Sequence, residues 1–329
     1  MKKKVTIKDV ALQSGVSIAT VSQILNGNAE KFSQKTVQKV LQVSDDLGYY
    51  PDYFAQRMVM KKSQVIGILI PDISNPFFAS LVKGIENVLY RQQYMVMLCE
   101  ADFSGDKENH YLEELVHRGI DGFIIASSTI SSQLLQEQLV QNQIPFVVLD
   151  QTENANISDW IGTADYLGGC LVANHLKDLG HHKLAVLGPQ KASHNIQERL
   201  AGIRTLYPHF TLIDSPLTRE GGIQAAYQVL NQDITAIVAL NDELAAGVMY
   251  QLQVLGKSIP ADYSVIGYDN SPICRYMVPS LTTIAQPVYE LGEEAARLLL
   301  SRLKHPDKPW VHKRLPVQLI TRDSTAHLK

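Results

Sequence analysis

The sequence predicts an all-α helix-turn-helix head joined to an α/β body of two doubly wound parallel-sheet lobes, and three observations carry that prediction. Residues 6 to 60 hold helical patterns only, with no β-rich run. From Val65 onward, short apolar runs alternate with amphipathic stretches of 3.6-residue period. At 329 residues the chain is too long for one small domain and can bury several cores.

In the head, helices are expected over 7–13, 17–25 and 33–47. Each opens on a hydroxyl residue able to cap free backbone N–H groups: Thr6, with Asp9 three positions on, then Ser17 and Ser33. The break at Ser14-Gly15 separates the first two helices, and Gly48 and Pro51 end the third. Helix, four-residue turn, helix is the arrangement whose second helix enters the major groove of DNA while the first braces it. Val10, Ala11, Val16, Val21 and Leu25 have the spacing to pack the two together. That leaves Ser17, Ile18, Ala19, Ser22, Gln23 and Asn26 on the outward face, with Thr6 and Thr20 near phosphates. A plain three-helix bundle would use the same pattern.

In the body, strands are expected at 65–70, 94–99, 122–126, 145–149, 183–188, 236–240 and 263–268, out of about ten in all. Continuous apolar strands separated by helices imply parallel sheets covered on both faces. Irregular segments near 161, 286 and 321 mark three crossings between lobes. The resulting division is a head over 1–50, a connecting segment over 51–62, and a two-lobed body over 63–329. Lobe 1 comprises about 63–161 and 287–320, and lobe 2 about 162–286 and 321–329. Polar residues at predicted strand ends converge on the cleft between lobes: Asn75, Asp150, Asn241, Asp269 and Gln286. Phe77 and Phe78, at a helix start, fit stacking on a sugar ring, although one of the two serves equally well as core.

Charge and composition narrow the function. Residues 1–62 hold ten Lys or Arg against five Asp or Glu, whereas the rest hold 20 against 28, so only the head has the sign expected for a polyanion partner. No apolar run reaches the roughly 18 residues of a membrane span, and MKKKVTIKDV has no apolar segment behind its basic residues, so a cytoplasmic protein is expected. Cys99, Cys170 and Cys274 show no CxxC spacing and read as buried, inert thiols, without a metal or disulfide role. No GxGxxG follows a strand, and Gly256-Lys257-Ser258 lacks the first glycine of a phosphate loop, with Gln251 in its place. No enzyme and no cofactor are therefore expected. His181-His182 reads as a solvated helix end.

The runs Thr6-Ile7-Lys8-Asp9-Val10-Ala11, Ser14-Gly15-Val16-Ser17, Ala19-Thr20-Val21-Ser22 and Leu25-Asn26-Gly27 resemble the signature of LacI-type repressors, and the likeness continues to about Thr325. It implies periplasmic-binding-protein-like lobes and a homodimer on double-stranded, pseudo-palindromic operator DNA, with Ile18 and Ala19 reading bases. Most relatives carry Arg where this chain has Gln23, which suits adenine rather than guanine. Residues 51–60 match the family's hinge helix. There Met58, beside Ala55, stands where most relatives have a Leu that wedges into the minor groove, and Arg57 and Tyr53 complete the DNA set. PDISNPFF, DGFIIASS, LGKSIP and TTIAQPVYELG are most similar to the Gram-positive ribose repressor type. This likeness implies a sugar effector, ribose foremost, held by Asn75, Phe77, Phe78, Asp150, Asn241, Asp269 and Gln286. Gln151 and Gln197 occupy positions where sugar-binding relatives usually place Arg, while Arg199 matches a second, more structural arginine. Regulators of other sugars or purines, regulators answering to a phosphorylated carrier protein, and sugar carriers are the competing readings.

Overall fold

The computed structural model describes residues 5–50, 62–126, 130–149 and 156–328. The expected hinge helix, with Tyr53, Ala55, Arg57 and Met58, lies outside the described residues, as do Asp150 and Gln151. Two compact units divide the chain, 1–63 and 64–329.

The described part of the first unit is built from helices. α1 (Ile7–Ser14), α2 (Ile18–Leu25) and α3 (Gln34–Asp46) start one residue after the hydroxyl caps. Asp9 accepts from both Thr6 N (2.8 Å) and Thr6 Oγ1 (2.7 Å), and Ser17 Oγ and Ser33 Oγ accept from the N–H groups of Thr20 and Thr36. Gly15 ends α1 at φ 70°, a left-handed conformation that a side chain would strain, and so makes the sharp turn into α2. Val10, Ala11, Val21, Ile24 and Val40 form the core, with Val16 and Leu25 at its margin. Ile24 was not among the expected packing residues; its place on α2, three residues after Val21, puts it on the same face.

The second unit holds two six-stranded sheets. Lobe 1 orders its strands β11-β5-β4-β3-β1-β2: β1 (Val65–Ile70), β2 (Met95–Glu100), β3 (Gly122–Ile125), β4 (Phe146–Leu149), β5 (Asp159–Thr163) and β11 (His312–Leu315). Lobe 2 orders β12-β10-β9-β8-β6-β7: β6 (Leu184–Gly188), β7 (Thr211–Asp214), β8 (Ala236–Ala239), β9 (Ser264–Asp269), β10 (Thr282–Ala285) and β12 (Gln318–Ile320). All pairs are parallel except β10 with β12. That pairing moves the third crossing to 316–317. The expectation of lobe 1 up to residue 320 is corrected accordingly, because 318–320 forms its backbone hydrogen bonds on lobe 2.

Helices cover both sheets. α4 (Pro76–Arg91), α5 (Gly105–His117), α6 (Ser132–Leu135) and α11 (Val288–Lys304) serve lobe 1; α7 (Asp165–Asp178), α8 (His194–Arg204), α9 (Arg219–Val229) and α10 (Asp242–Val254) serve lobe 2. Gly84 and Gly292 bring α4 and α11 so close that a Cβ on either would overlap the other's backbone. Arg302 forks onto buried Asp159, with two bonds of 2.9 Å, donates to the carbonyls of Pro306 and Pro309, and lies 4.2 Å from the Trp310 ring. This knot fixes the approach to β11.

His181 corrects the reading of 181–182 as a solvated end: His182 is exposed, but His181 is buried. Its Nε2 lies 3.0 Å from the Ala326 carbonyl, which can only accept, so Nε2 carries the proton and Nδ1 accepts from Thr235 Oγ1 at 2.9 Å. With His175, which bonds Thr325 Oγ1 at 3.0 Å, it fastens the C-terminal segment to lobe 2. Burial holds both imidazoles below their ordinary pKa of 6.5. A depressed histidine leaves stability complete above the unfolded value of 6.5 and removes it as pH falls toward the folded value. Thermal melts from pH 8 down to 5 should therefore show His181→Asn losing less stability than the unsubstituted chain below pH 6.5, a difference in which other titrating groups cancel; parallel curves would contradict the account.

Candidate functional site

Both lobes present the carboxyl ends of their strands to one cavity. From lobe 1 come Asp72 and Asn75 after β1, Phe77 and Phe78 on α4, Phe103 after β2, Ala126 after β3 and Leu149 at the end of β4. From lobe 2 come Ser193, Asn195, Ile196 and Arg199 after β6, Leu217 and Thr218 after β7, Asn241 after β8 and Asp269 ending β9. Each sheet reverses its order beside its first strand, and ligands settle at that switch point in open parallel sheets. The cavity measures about 140 Å³, well below the roughly 300 Å³ at which sites for drug-sized molecules begin, which suits a small ligand.

Its walls pair flat apolar surface with fixed polar groups. Phe77 and Phe78 stand edge to face with centroids 5.1 Å apart, both at the cavity and both packed against the lobe 1 core, so one cluster serves stacking and folding together. Asn75 caps α4, its Oδ1 accepting from Phe77 N at 2.9 Å. Asn241 caps α10 through Leu244 N at 2.9 Å and donates to the Leu217 carbonyl at 2.9 Å. Both asparagines are held rigid by the helices they start.

On the lobe 2 side the cavity rests on a buried charge network. Arg199 Nε donates to Asp165 Oδ1 at 2.7 Å and Nη1 to the Leu240 carbonyl at 2.7 Å, while the guanidinium lies 3.7 Å over the Tyr268 ring. Gly168 has no side chain because a Cβ there would overlap the Tyr268 hydroxyl. Asp269 has φ 115°, a strained conformation for a residue with a Cβ, of the kind that clusters at ligand sites. Burial pushes its carboxyl well above the usual carboxylate range even though Arg199 pulls the other way. Burial likewise raises Asp242 to about 6, against hydrogen bonds from Thr283 Oγ1 and Ser271 N, each 2.7 Å long.

Two expected residues lie elsewhere. Gln286 is buried one layer behind the wall: its Nε2 donates to Asp269 Oδ1 at 2.6 Å, and its Oε1 accepts from Thr163 Oγ1 at 2.7 Å. Gln197 is exposed and donates to the Ala192 carbonyl at 2.8 Å, because Ile196 and Arg199, three apart, define the cavity face of α8 and leave 197 off it. The arginine at the wall is instead Arg199, read from sequence as structural; it is both. Asp72, Phe103, Ser193, Asn195 and Thr218 were missed, since residues of loops and of a helix's first turn after a strand carry no periodic signal.

In the head, the outward face of α2 presents Ile18, Ala19 and Gln23 exposed, with Thr20, Ser22 and Asn26 half-buried beside them. Asn26 Nδ2 donates to Ser22 Oγ at 3.2 Å, which orders that edge. Ser17 and Thr6, both exposed, sit at the N-terminal ends of α2 and α1.

The model of bacterial regulatory proteins of the lacI family matches residues 6–52, and that of the periplasmic binding protein-like domain matches 173–325. The chain is 33% identical over 326 residues to the ribose operon repressor of Halalkalibacterium halodurans, covering 97% of each protein. A LacI family transcriptional regulator from Enterococcus faecalis V583, crystallised with bound ribose, is 49% identical with a TM-score of 0.78, over 80% of this chain and 100% of that one. The lac repressor dimer bound to operator and the anti-inducer ONPF is 29% identical with a TM-score of 0.87, over 98% and 100%.

Removing the guanidinium at the cavity floor would strand Asp165, which is buried. Arg199→Met should cost about 3–5 kcal/mol in urea unfolding of the body, whereas Gln197→Ala should leave the midpoint unmoved; equal, small losses would show that Arg199 is dispensable to the fold.

Proposed function

Because the chain belongs to the LacI family of bacterial regulatory proteins, we propose that this transcriptional repressor answers to a pentose, D-ribose foremost, bound between its lobes. The observation that carries the reading is the small cavity with two phenyl rings on one wall and Asn241, Arg199 and Asp269 on the other. A furanose or pyranose ring has apolar C–H faces for the phenyls and hydroxyls around its edge for the amides, the guanidinium and the carboxyl. The ribose held by the Enterococcus faecalis relative supports the same choice. Asn75, Phe77, Phe78, Arg199, Asn241 and Asp269 are the contact set in this reading, and Gln286 orients Asp269. Asp150 and Gln151 follow β4, whose last residue, Leu149, lies at the cavity.

The DNA partner is a pseudo-palindromic duplex read by two copies of the chain. Ile18, Ala19, Ser22, Gln23 and Asn26 face base edges; Thr6, Ser17 and Thr20 face phosphates, and Tyr53, Ala55, Arg57 and Met58 belong to the minor-groove contact. The apolar surfaces that would pair two copies are the edge strand β2, with Met95 68% exposed, and the α10 end, with Tyr250 60% exposed. Effector binding shifts the lobe arrangement and thereby the spacing of the two heads, to the extent that the sugar binds the two arrangements unequally.

Calorimetric titration of the full chain with a pentose panel tests the ligand: D-ribose should bind tightest, and absence of heat with D-ribose would reject it. Sequence selection from a random duplex library tests the head. The unsubstituted chain should enrich adenine at one symmetric position of each half-site, and Gln23→Arg should switch that position to guanine with about 1–3 kcal/mol of discrimination; an unchanged preference would remove Gln23 from the reading surface.

A further inference from the structure

The polar contacts between lobes do not stop at the cavity. Arg314 lies on β11, which pairs with β5 in the lobe 1 sheet, and Glu198 lies on α8, whose apolar side packs into the lobe 2 core. Arg314 Nη2 reaches Glu198 Oε1 at 2.9 Å, so an ion pair joins the two lobes. The same Glu198 oxygen lies 3.6 Å from His194 Nε2, and the Arg314 guanidinium sits 5.4 Å from the centroid of the buried Trp160 ring. Arg314 is held from below as well: β11 follows the segment that Arg302 and Asp159 knot down, and the Arg314 position registers opposite Gly162 of β5.

Glu198 is adjacent to Arg199 and belongs to the first turns of α8, the part of the helix that supplies Asn195, Ile196 and Arg199 to the cavity. A side chain that fixes this turn to lobe 1 therefore fixes half of the lobe 2 wall in the position where both lobes enclose one cavity. We propose that the Arg314–Glu198 ion pair is a positioning contact for effector recognition, which sets affinity by holding the α8 wall against lobe 1 without touching the ligand. The inference rests on the cavity being the effector site, but not on the effector being ribose. The pair is partly exposed, with side-chain exposures of 42% and 21%, so its effect belongs to the range of surface ion pairs.

The experiment uses the full chain with Glu198→Gln, Arg314→Gln, the double variant and Arg314→Lys, titrated with D-ribose in calorimetry. In parallel, hydrogen exchange of the amides at 193–199 is followed without ligand. Each single Gln variant should weaken ribose about two- to fivefold and speed exchange over 193–199, and the double variant should do no more than either single one. Arg314→Lys, which keeps the charge, should recover most of the loss. Because D-ribose is uncharged, salt should weaken its binding to the unsubstituted chain but leave the double variant unaffected. Additive effects, or unchanged exchange together with unchanged affinity, would overturn the proposal. If the unsubstituted chain takes up no ribose, the exchange pattern alone decides the positioning role, and only the ribose reading falls.

Discussion

One buried ion pair organises the cavity side of lobe 2. Asp165 begins α7 directly after the chain crosses from lobe 1, and Arg199 belongs to α8; their 2.7 Å contact is closed to solvent on both sides. Isolated burial of either charge would be prohibitive, and even a paired burial gains little over an apolar pair. The guanidinium offsets the desolvation by distributing its donors: one to Asp165, one to the carbonyl at the end of β8, with its face on Tyr268 of β9. Four elements of lobe 2 thus meet at one planar cation. The cavity wall inherits that rigidity, which is what a site must have to recognise hydroxyls by direction rather than by bulk.

From that floor the polar contacts run to the crossings between the lobes. Asp269 lies beside Arg199, Gln286 holds Asp269, and Gln286 accepts from Thr163, whose hydroxyl also lies 2.9 Å from Asp165 Oδ2. Thr163 ends a lobe 1 strand and Gln286 follows a lobe 2 strand, so the network that shapes the wall also spans two of the crossings. A ligand that binds Asp269 or Arg199 would therefore touch groups already tied to the segments that cross between the lobes. This is the physical content of coupling here: an effector changes the balance of lobe arrangements only through contacts that differ between them.

Much of this was legible in the sequence because it is periodic. The alternation of apolar runs with amphipathic stretches reported both sheets, and the hydroxyls at 6, 17 and 33 reported three helix starts to within a residue. Strand-end polar residues reported Asn75, Asn241 and Asp269, whose capping or strained positions follow from where strands stop. What escaped has a common cause. Phe103, Asn195 and Thr218 reach the cavity from loops or the first turn of a helix, where neither period applies. Gln286 and His181 are buried by partners more than 50 residues away in sequence, Thr163 for one and Thr235 and Ala326 for the other, and no local pattern encodes such partners. Motif position does not separate Gln197 from Arg199; the helical phase of α8 does, and it places Arg199 at the wall.

The central claim is that a sugar bound between the lobes governs the hold of the head on DNA. The direct measurement is fluorescence anisotropy of a duplex enriched from a random library by the ligand-free chain, titrated with the protein at increasing D-ribose. The account predicts a DNA dissociation constant that rises with ribose and saturates at the calorimetric occupancy of the cavity. A DNA affinity that stays constant while the cavity fills would contradict it.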